Sequence, residues 1–237
     1  MLDVTLRSDQ VVQRLLDQLD AKVGKGRYVL ALTADHGVCP IPEVARAHGK
    51  DAGRVAPDLL GSRAEAFLQK TFAEAEGKEQ WLEGKAGPWV YLNLALLKQR
   101  GLNQDRVEEG LAGWLKEQPG VLTAYTRSQL PKGLPADDTI GRRVLHSFYP
   151  QRSGDVMVVL KPYYLFANPL LRGTTHGTPH PYDTQVPLLV YGPEVRADVH
   201  AEAITPQACA TLLTRALGIP GPVRARAPVP KGLFTSP

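Results

Sequence analysis

Two short motifs constrain this chain more than anything else in it. Thr33-Ala34-Asp35-His36-Gly37 follows the apolar run Tyr28-Val29-Leu30-Ala31-Leu32. Far downstream, Gly173-Thr174-Thr175-His176-Gly177 comes shortly before a second apolar run, Val186-Pro187-Leu188-Leu189-Val190-Tyr191. The first run reads as a buried parallel strand. An Asp-His pair at the end of such a strand stands where open α/β sheets bind ligands, outside the carboxyl ends of the strands. A carboxylate beside an imidazole is half of a divalent-metal site, with Gly37 to turn the chain away. The second motif adds a His on a loop of small residues. Only a fold that brings adjacent strand ends together can unite the two.

The rest of the chain supplies the scaffold. Leu6, Val11, Val12, Leu15, Leu16 and Leu19 recur at helical spacing over residues 3–22, and Gly24 and Gly26 stop that helix before the first strand. A domain that opens on a crossover helix lacks the strand that should precede it. An apolar sheet face or edge is therefore expected to stand uncovered. Residues 40–61, rich in Pro and Gly, read as loop. A helix is expected over 62–76, a strand at Trp89–Asn93 and a short helix from Leu94 to Arg100. A further helix at 105–117 has Asn103 as its N-cap, and Val121–Tyr125 reads as a strand. Asp155–Leu160 and Tyr182–Gly192 read as strands. The last helix, 205–217, stops at Gly218 with Pro220 beyond, and the proline-rich tail 221–237 reads as a loosely packed end.

With 237 residues, 43% of them hydrophobic and 22% charged, the chain has the composition and length for a sizeable core. The net charge of +4 is dispersed, with no basic helix and no alternation of aromatic and basic residues, which argues against nucleic-acid binding. Mild positive charge suits anionic substrates such as phosphate esters. Cys39 and Cys209 provide no disulfide framework and no zinc-type spacing, and Cys39 reads as a small residue filling a loop. No signal peptide and no run long enough to span a bilayer is recognisable. The motifs together are parts of a metallohydrolase-type centre, too few to complete one.

Leu32–Gly37 resembles the metal-binding turn of the alkaline phosphatase superfamily. Thr175-His176-Gly177-Thr178-Pro179, followed by Tyr182-Asp183-Thr184-Gln185-Val186-Pro187-Leu188, resembles the C-terminal metal loop of its type I phosphodiesterase/nucleotide pyrophosphatase branch, most like PafA-type bacterial alkaline phosphatases. Arg152–Asp155, Gly120–Arg127 and Ile204–Pro220 agree in the same order. The resemblance covers the C-terminal half of such an enzyme. It implies an α/β three-layer sandwich with part of a mostly parallel sheet: residues 1–39 and 150–220 form the core, 40–149 a small inserted α+β lobe and 221–237 a tail.

The resemblance also implies two Zn2+ ions. Asp35 and His36 would ligate the ion that activates the nucleophile, and His176 the other; two ions roughly 4 Å apart clamp the attacking and leaving oxygens of an in-line displacement. The nucleophile, the first Asp ligand, an Asp-xxx-His pair and the basic phosphate clamps have no counterpart in this chain. Thr33, Thr174 and Thr175 are poor substitutes for the nucleophile. The implied activity is hydrolysis of small-molecule phosphate esters, with a phosphodiesterase, a nucleotide pyrophosphatase or a non-catalytic remnant as the alternatives. The residues that separate monoesters from diesters would lie in a missing N-terminal half, and this chain alone is expected to be inactive. Complete members are commonly exported to the periplasm. His180 reads as a neighbour of the site and not a ligand, and Asp183 as a brace or cap of the loop. Arg152 and Asp155 read as an internal salt bridge, and His48, His146 and His200 as surface residues.

Overall fold

The computed structural model describes residues 2–73, 78–170 and 172–235. The chain falls into two compact units, Met1–Asp35 with Val186–Pro237, and His36–Gln185.

The first unit holds α1 (Leu2–Lys22), β1 (Leu30–Thr33), β8 (Leu188–Tyr191) and α8 (Ala208–Leu217). The helical spacing of the opening segment is realised in α1, yet none of its residues is buried, and Leu6, Val11 and Leu15 are exposed. β1 pairs antiparallel with β8, Leu32 opposite Leu189 and Leu30 opposite Tyr191. Side chains alternate across a strand, so this sheet has two faces of different fate. Ala31, Leu188 and Val190 pack with Leu212 of α8, whereas Leu32, Leu189 and Tyr191 on the other face are 41%, 58% and 46% exposed. An apolar sheet face does stand open. Much of the tail is exposed, as expected, but it departs from expectation at two positions: Leu233 and Phe234 are buried against Leu212, and the Arg215 guanidinium lies 5.3 Å from the Phe234 ring centroid. Two adjacent apolar residues outweigh the prolines around them.

The second unit runs through α2 (Pro42–Ala47), β2 (Gly53–Val55), α3 (Pro57–Phe72), β3 (Leu82–Ala86), β4 (Trp89–Leu92), α4 (Leu94–Gln99), α5 (Gln104–Lys116), β5 (Val121–Thr126), α6 (Thr139–Ser147), β6 (Val156–Leu160), β7 (Tyr164–Phe166) and α7 (Pro181–Thr184). Asn93 and Asn103 cap α4 and α5, accepting from the Leu96 and Arg106 amides. The stretch expected to be loop instead contains α2, β2 and the start of α3. Pro42 and Pro57 open those helices at their first turn, where the missing N–H is no loss and the fixed φ is already helical.

β3, β4, β6 and β5 form one sheet in that order. Val156, Val158 and Leu160 of β6 join the core built with α3 and α5, around Leu68, Trp81, Leu111 and Leu115. Met157 and Val159 face the other way, among Tyr125, Leu130 and Val144. Among the described residues β2 and β7 pair in parallel, and every other named pairing is antiparallel. The expectation of a mostly parallel sheet is therefore corrected. The run at β1, read as a buried parallel strand, pairs antiparallel with β8, and none of its residues is fully buried. The apolar run of β6 has cover on both faces within an antiparallel sheet, because an apolar run does not fix strand direction.

Candidate metal centre

The Asp-His-Gly turn straddles the boundary between the units: Asp35, exposed, ends the first and His36 begins the second. From Gly37 onward the chain runs beside residues 182–183. The Gly37 amide donates to the Asp183 carbonyl at 2.8 Å and the Val38 amide to the Tyr182 carbonyl at 3.1 Å. The reason for glycine here is closeness, not turning: a Cβ on residue 37 would lie 2.0 Å from the Tyr182 carbonyl oxygen. One step later the Cys39 amide donates to the Thr175 carbonyl at 3.1 Å, and the Thr174 hydroxyl donates to the Cys39 carbonyl. These bonds tie the two sequence motifs together.

The result is that His36 and His176 lie face to face, ring centroids 3.5 Å apart and planes inclined by 14°. His36 Nδ1 is 2.7 Å from the Gly37 carbonyl oxygen. A carbonyl only accepts, so Nδ1 carries the proton and Nε2 is the basic nitrogen. Metal-ligating histidines are commonly oriented in this way, the second ring nitrogen donating to a backbone carbonyl. Because imidazole lone pairs lie in the ring plane, two nearly parallel stacked rings cannot direct them at one ion.

The His176 loop is braced at both ends. Gly177, next to His176, has φ +100°, a conformation that disfavours side chains. Beyond it, the buried Asp183 carboxylate accepts from the Thr178 amide at 2.7 Å and from the Thr178 hydroxyl at 2.6 Å, through Oδ2. Its Oδ1 is buried without a hydrogen-bond partner among the described residues. At the other end Arg54 donates to the Gly173 carbonyl at 2.7 Å while its guanidinium grips Glu43 through two bonds of 2.7 and 2.8 Å. The hydrogen bonds from Arg54 pull the Glu43 carboxyl down to about 2. Neither Arg54 nor Glu43 is legible as part of the site in the sequence. They lie in the stretch read as loop, and no local spacing marks them.

The neighbouring groups have structural work. His180 is buried, and its Nε2 donates to the Leu160 carbonyl at 2.8 Å, fastening the loop to the end of β6. Burial pushes the Tyr182 phenol up to about 12 and raises the Cys39 thiol. Cys39 is a buried filler, as expected. Asp155 is buried and accepts from the Leu92 amide at 2.7 Å; its ion-pair partner is Arg127, at 3.9 Å, and not Arg152. His48 and His146 are exposed, and His200 half-buried.

A zinc site needs three or four protein donors. Among the described residues no group of three or more His, Cys, Asp or Glu side chains comes together in a metal-holding arrangement. The donors present have the right chemistry and, for His36, the right tautomer. In number they do not close a site.

A turn of this kind, tied to a braced His loop inside an α/β scaffold, defines a class, and comparison with known proteins agrees. The chain matches the type I phosphodiesterase/nucleotide pyrophosphatase family over residues 1–183 and belongs to it. It is similar to alkaline phosphatase PafA of Elizabethkingia meningoseptica, 30% identical over 191 residues, covering 80% of this chain and 34% of that protein. It is also similar to alkaline phosphatase PhoK of a Sphingomonas species, 32% identical over 197 residues, covering 78% of this chain and 34% of the relative. The crystal structure of wild-type alkaline phosphatase PafA superposes with a TM-score of 0.84 at 26% identity, covering 98% of this chain and 43% of that one. The chain thus spans about a third of the length of the curated relatives it matches. No helix among the described residues is long and apolar enough to cross a membrane.

Proposed function

We propose that this chain is the C-terminal portion of a two-zinc phosphate-ester hydrolase, an alkaline-phosphatase-like phosphomonoesterase. The observation that carries the reading is the stacked pair of His36 and His176, with the His36 tautomer set by the Gly37 carbonyl. Parallel rings suit two ions and not one, and two-metal hydrolytic sites space their ions by about 3.5–4 Å. In this reading Asp35 and His36 hold one zinc and His176 the other. Bound there, the ions would supply Lewis-acid stabilisation of the phosphoryl oxygens.

What the chain's own residues do is orient. The Gly37 carbonyl fixes the His36 ring, Asp183 and Arg54 clamp the ends of the His176 loop, and His180 anchors it to β6. The hydroxyl nucleophile and the remaining ligands belong to the part of the family fold that this chain does not span. Residues 1–39 and 150–220 then represent part of a three-layer core, and 40–149 its inserted lobe.

The test is turnover of p-nitrophenyl phosphate and of bis-p-nitrophenyl phosphate in the presence of zinc. The 237-residue chain alone is expected to turn over neither. Joined to the upstream portion of a PafA-type relative, it is expected to hydrolyse the monoester, and His176→Ala or Asp35→Ala to abolish most of that activity. A preference for the diester would make it a phosphodiesterase, and a joined enzyme as inactive as the chain alone would make it a non-catalytic remnant. Zinc-dependent turnover by the isolated chain would overturn the assignment of the nucleophile.

A further inference from the structure

The His176 loop borders a cleft of about 160 Å³, within the second unit, between β6, β7 and residues 175–179. Its depth is apolar: Met157, Val159, Leu160 and Leu165 line it, and all four are buried. Thr175 and His176, both exposed, stand at its mouth. Among the described residues, no acidic or basic side chain other than His176 lines it. Two of its polar groups are committed elsewhere, the Thr178 hydroxyl to Asp183 and the Tyr164 hydroxyl to Asp51 at 2.7 Å, so that Tyr164 offers the cleft its ring.

A sugar or a polyphosphate would find few hydrogen-bond partners in this space, and burying polar groups unpaired is costly. A planar hydrocarbon ring would lose nothing. The volume also fits: an apolar cavity of about 150 Å³ accepts benzene. We propose that the cleft seats a monocyclic aryl group, the leaving-group side of an aryl phosphate ester, with the ester oxygen turned to the mouth at His176. This rests on the phosphate-ester reading for the identity of the ester, but the aryl subsite itself does not depend on zinc or on turnover.

The test therefore uses binding. 4-Fluorophenol is titrated into the purified chain without metal and followed by fluorine NMR, with excess glycerol as a polar competitor. Saturable binding of the fluorophenol, not displaced by glycerol, is expected. Val159→Phe fills the cleft from its floor, and Thr175→Trp covers it from the exposed mouth, where the substitution does not threaten folding. Each is expected to weaken binding at least tenfold, with the circular dichroism spectrum of Thr175→Trp unchanged. Absence of fluorophenol binding, or binding undiminished in Thr175→Trp, overturns the proposal whatever the phosphatase assays give. Binding that behaves as expected in a chain whose joined form hydrolyses no ester supports the aryl subsite and overturns the phosphatase reading instead.

Discussion

Replacing Gly37 by alanine should be among the most damaging single-methyl additions in this chain. An ideal Cβ there lies 2.0 Å from the Tyr182 carbonyl oxygen and 3.0 Å from its carbon, both backbone atoms that no side-chain rotation can move aside. Reaching the 3.0 Å that real Cβ contacts respect requires the two segments to part by about 1 Å. The Gly37–Asp183 and Val38–Tyr182 hydrogen bonds, now 2.8 and 3.1 Å, would stretch to about 4 Å, out of range. Two backbone bonds at about 1 kcal/mol each, with an overpacking cost of about 1–3 kcal/mol, give about 3–4 kcal/mol, the relief of one partly offsetting the other. At about 1.4 kcal/mol per tenfold, amide hydrogen exchange at residues 37–39 should accelerate by about 100-fold or more. Gly113→Ala is the control. It sits exposed in α5 with nothing within 4 Å of a new Cβ, and should stabilise by about 0.5–1 kcal/mol. Less than about a fivefold loss of protection at residues 37–39 in Gly37→Ala would refute the claim that close backbone approach fixes the turn.

Thr178→Val removes a hydrogen bond to a buried carboxylate and should cost about 1.5–3 kcal/mol in urea denaturation. Glu43, held by Arg54 at about 2 against an ordinary 4.5, binds fewer protons folded than unfolded between those values. Its contribution is therefore complete above pH 4.5 and is lost as the pH falls toward 2. The Glu43 carboxyl carbon should titrate by NMR near 2, and near the ordinary range in Arg54→Met. Glu108 and Asp155 run the other way. Burial raises both, so the folded state binds more protons, and stability should fall as the pH climbs through and above the ordinary carboxylate range. Glu108→Gln should flatten that slope in denaturation midpoints measured from pH 4 to 8.

How much of this was legible in sequence depended on the range of the forces involved. Periodicity and capping act within a few residues. Accordingly α1, α5 with its Asn103 cap, β6 and the stop of α8 at Gly218 could be read directly. So could the two metal-type motifs, because residue type and neighbour order carry their chemistry. Strand direction could not be read. The apolar run of β6 requires cover on both faces, and parallel and antiparallel neighbours satisfy that equally. Nor could sequence show that α1 would carry its apolar stripe exposed, that Leu233 and Phe234 would be buried within a largely exposed, proline-rich tail, or that Pro42 and Pro57 would start helices and not loops. The site divides the same way. Sequence alone marked His36 and His176 as candidates. Only the tertiary structure stacked their rings, set the His36 proton on Nδ1 and brought Arg54 to Gly173 across 119 positions of chain. The ring stack and the Arg54 bond join segments far apart in the chain, which local sequence rules do not reach. The His36 proton is placed by its neighbour Gly37, in a turn whose close approach to Tyr182 admits only glycine.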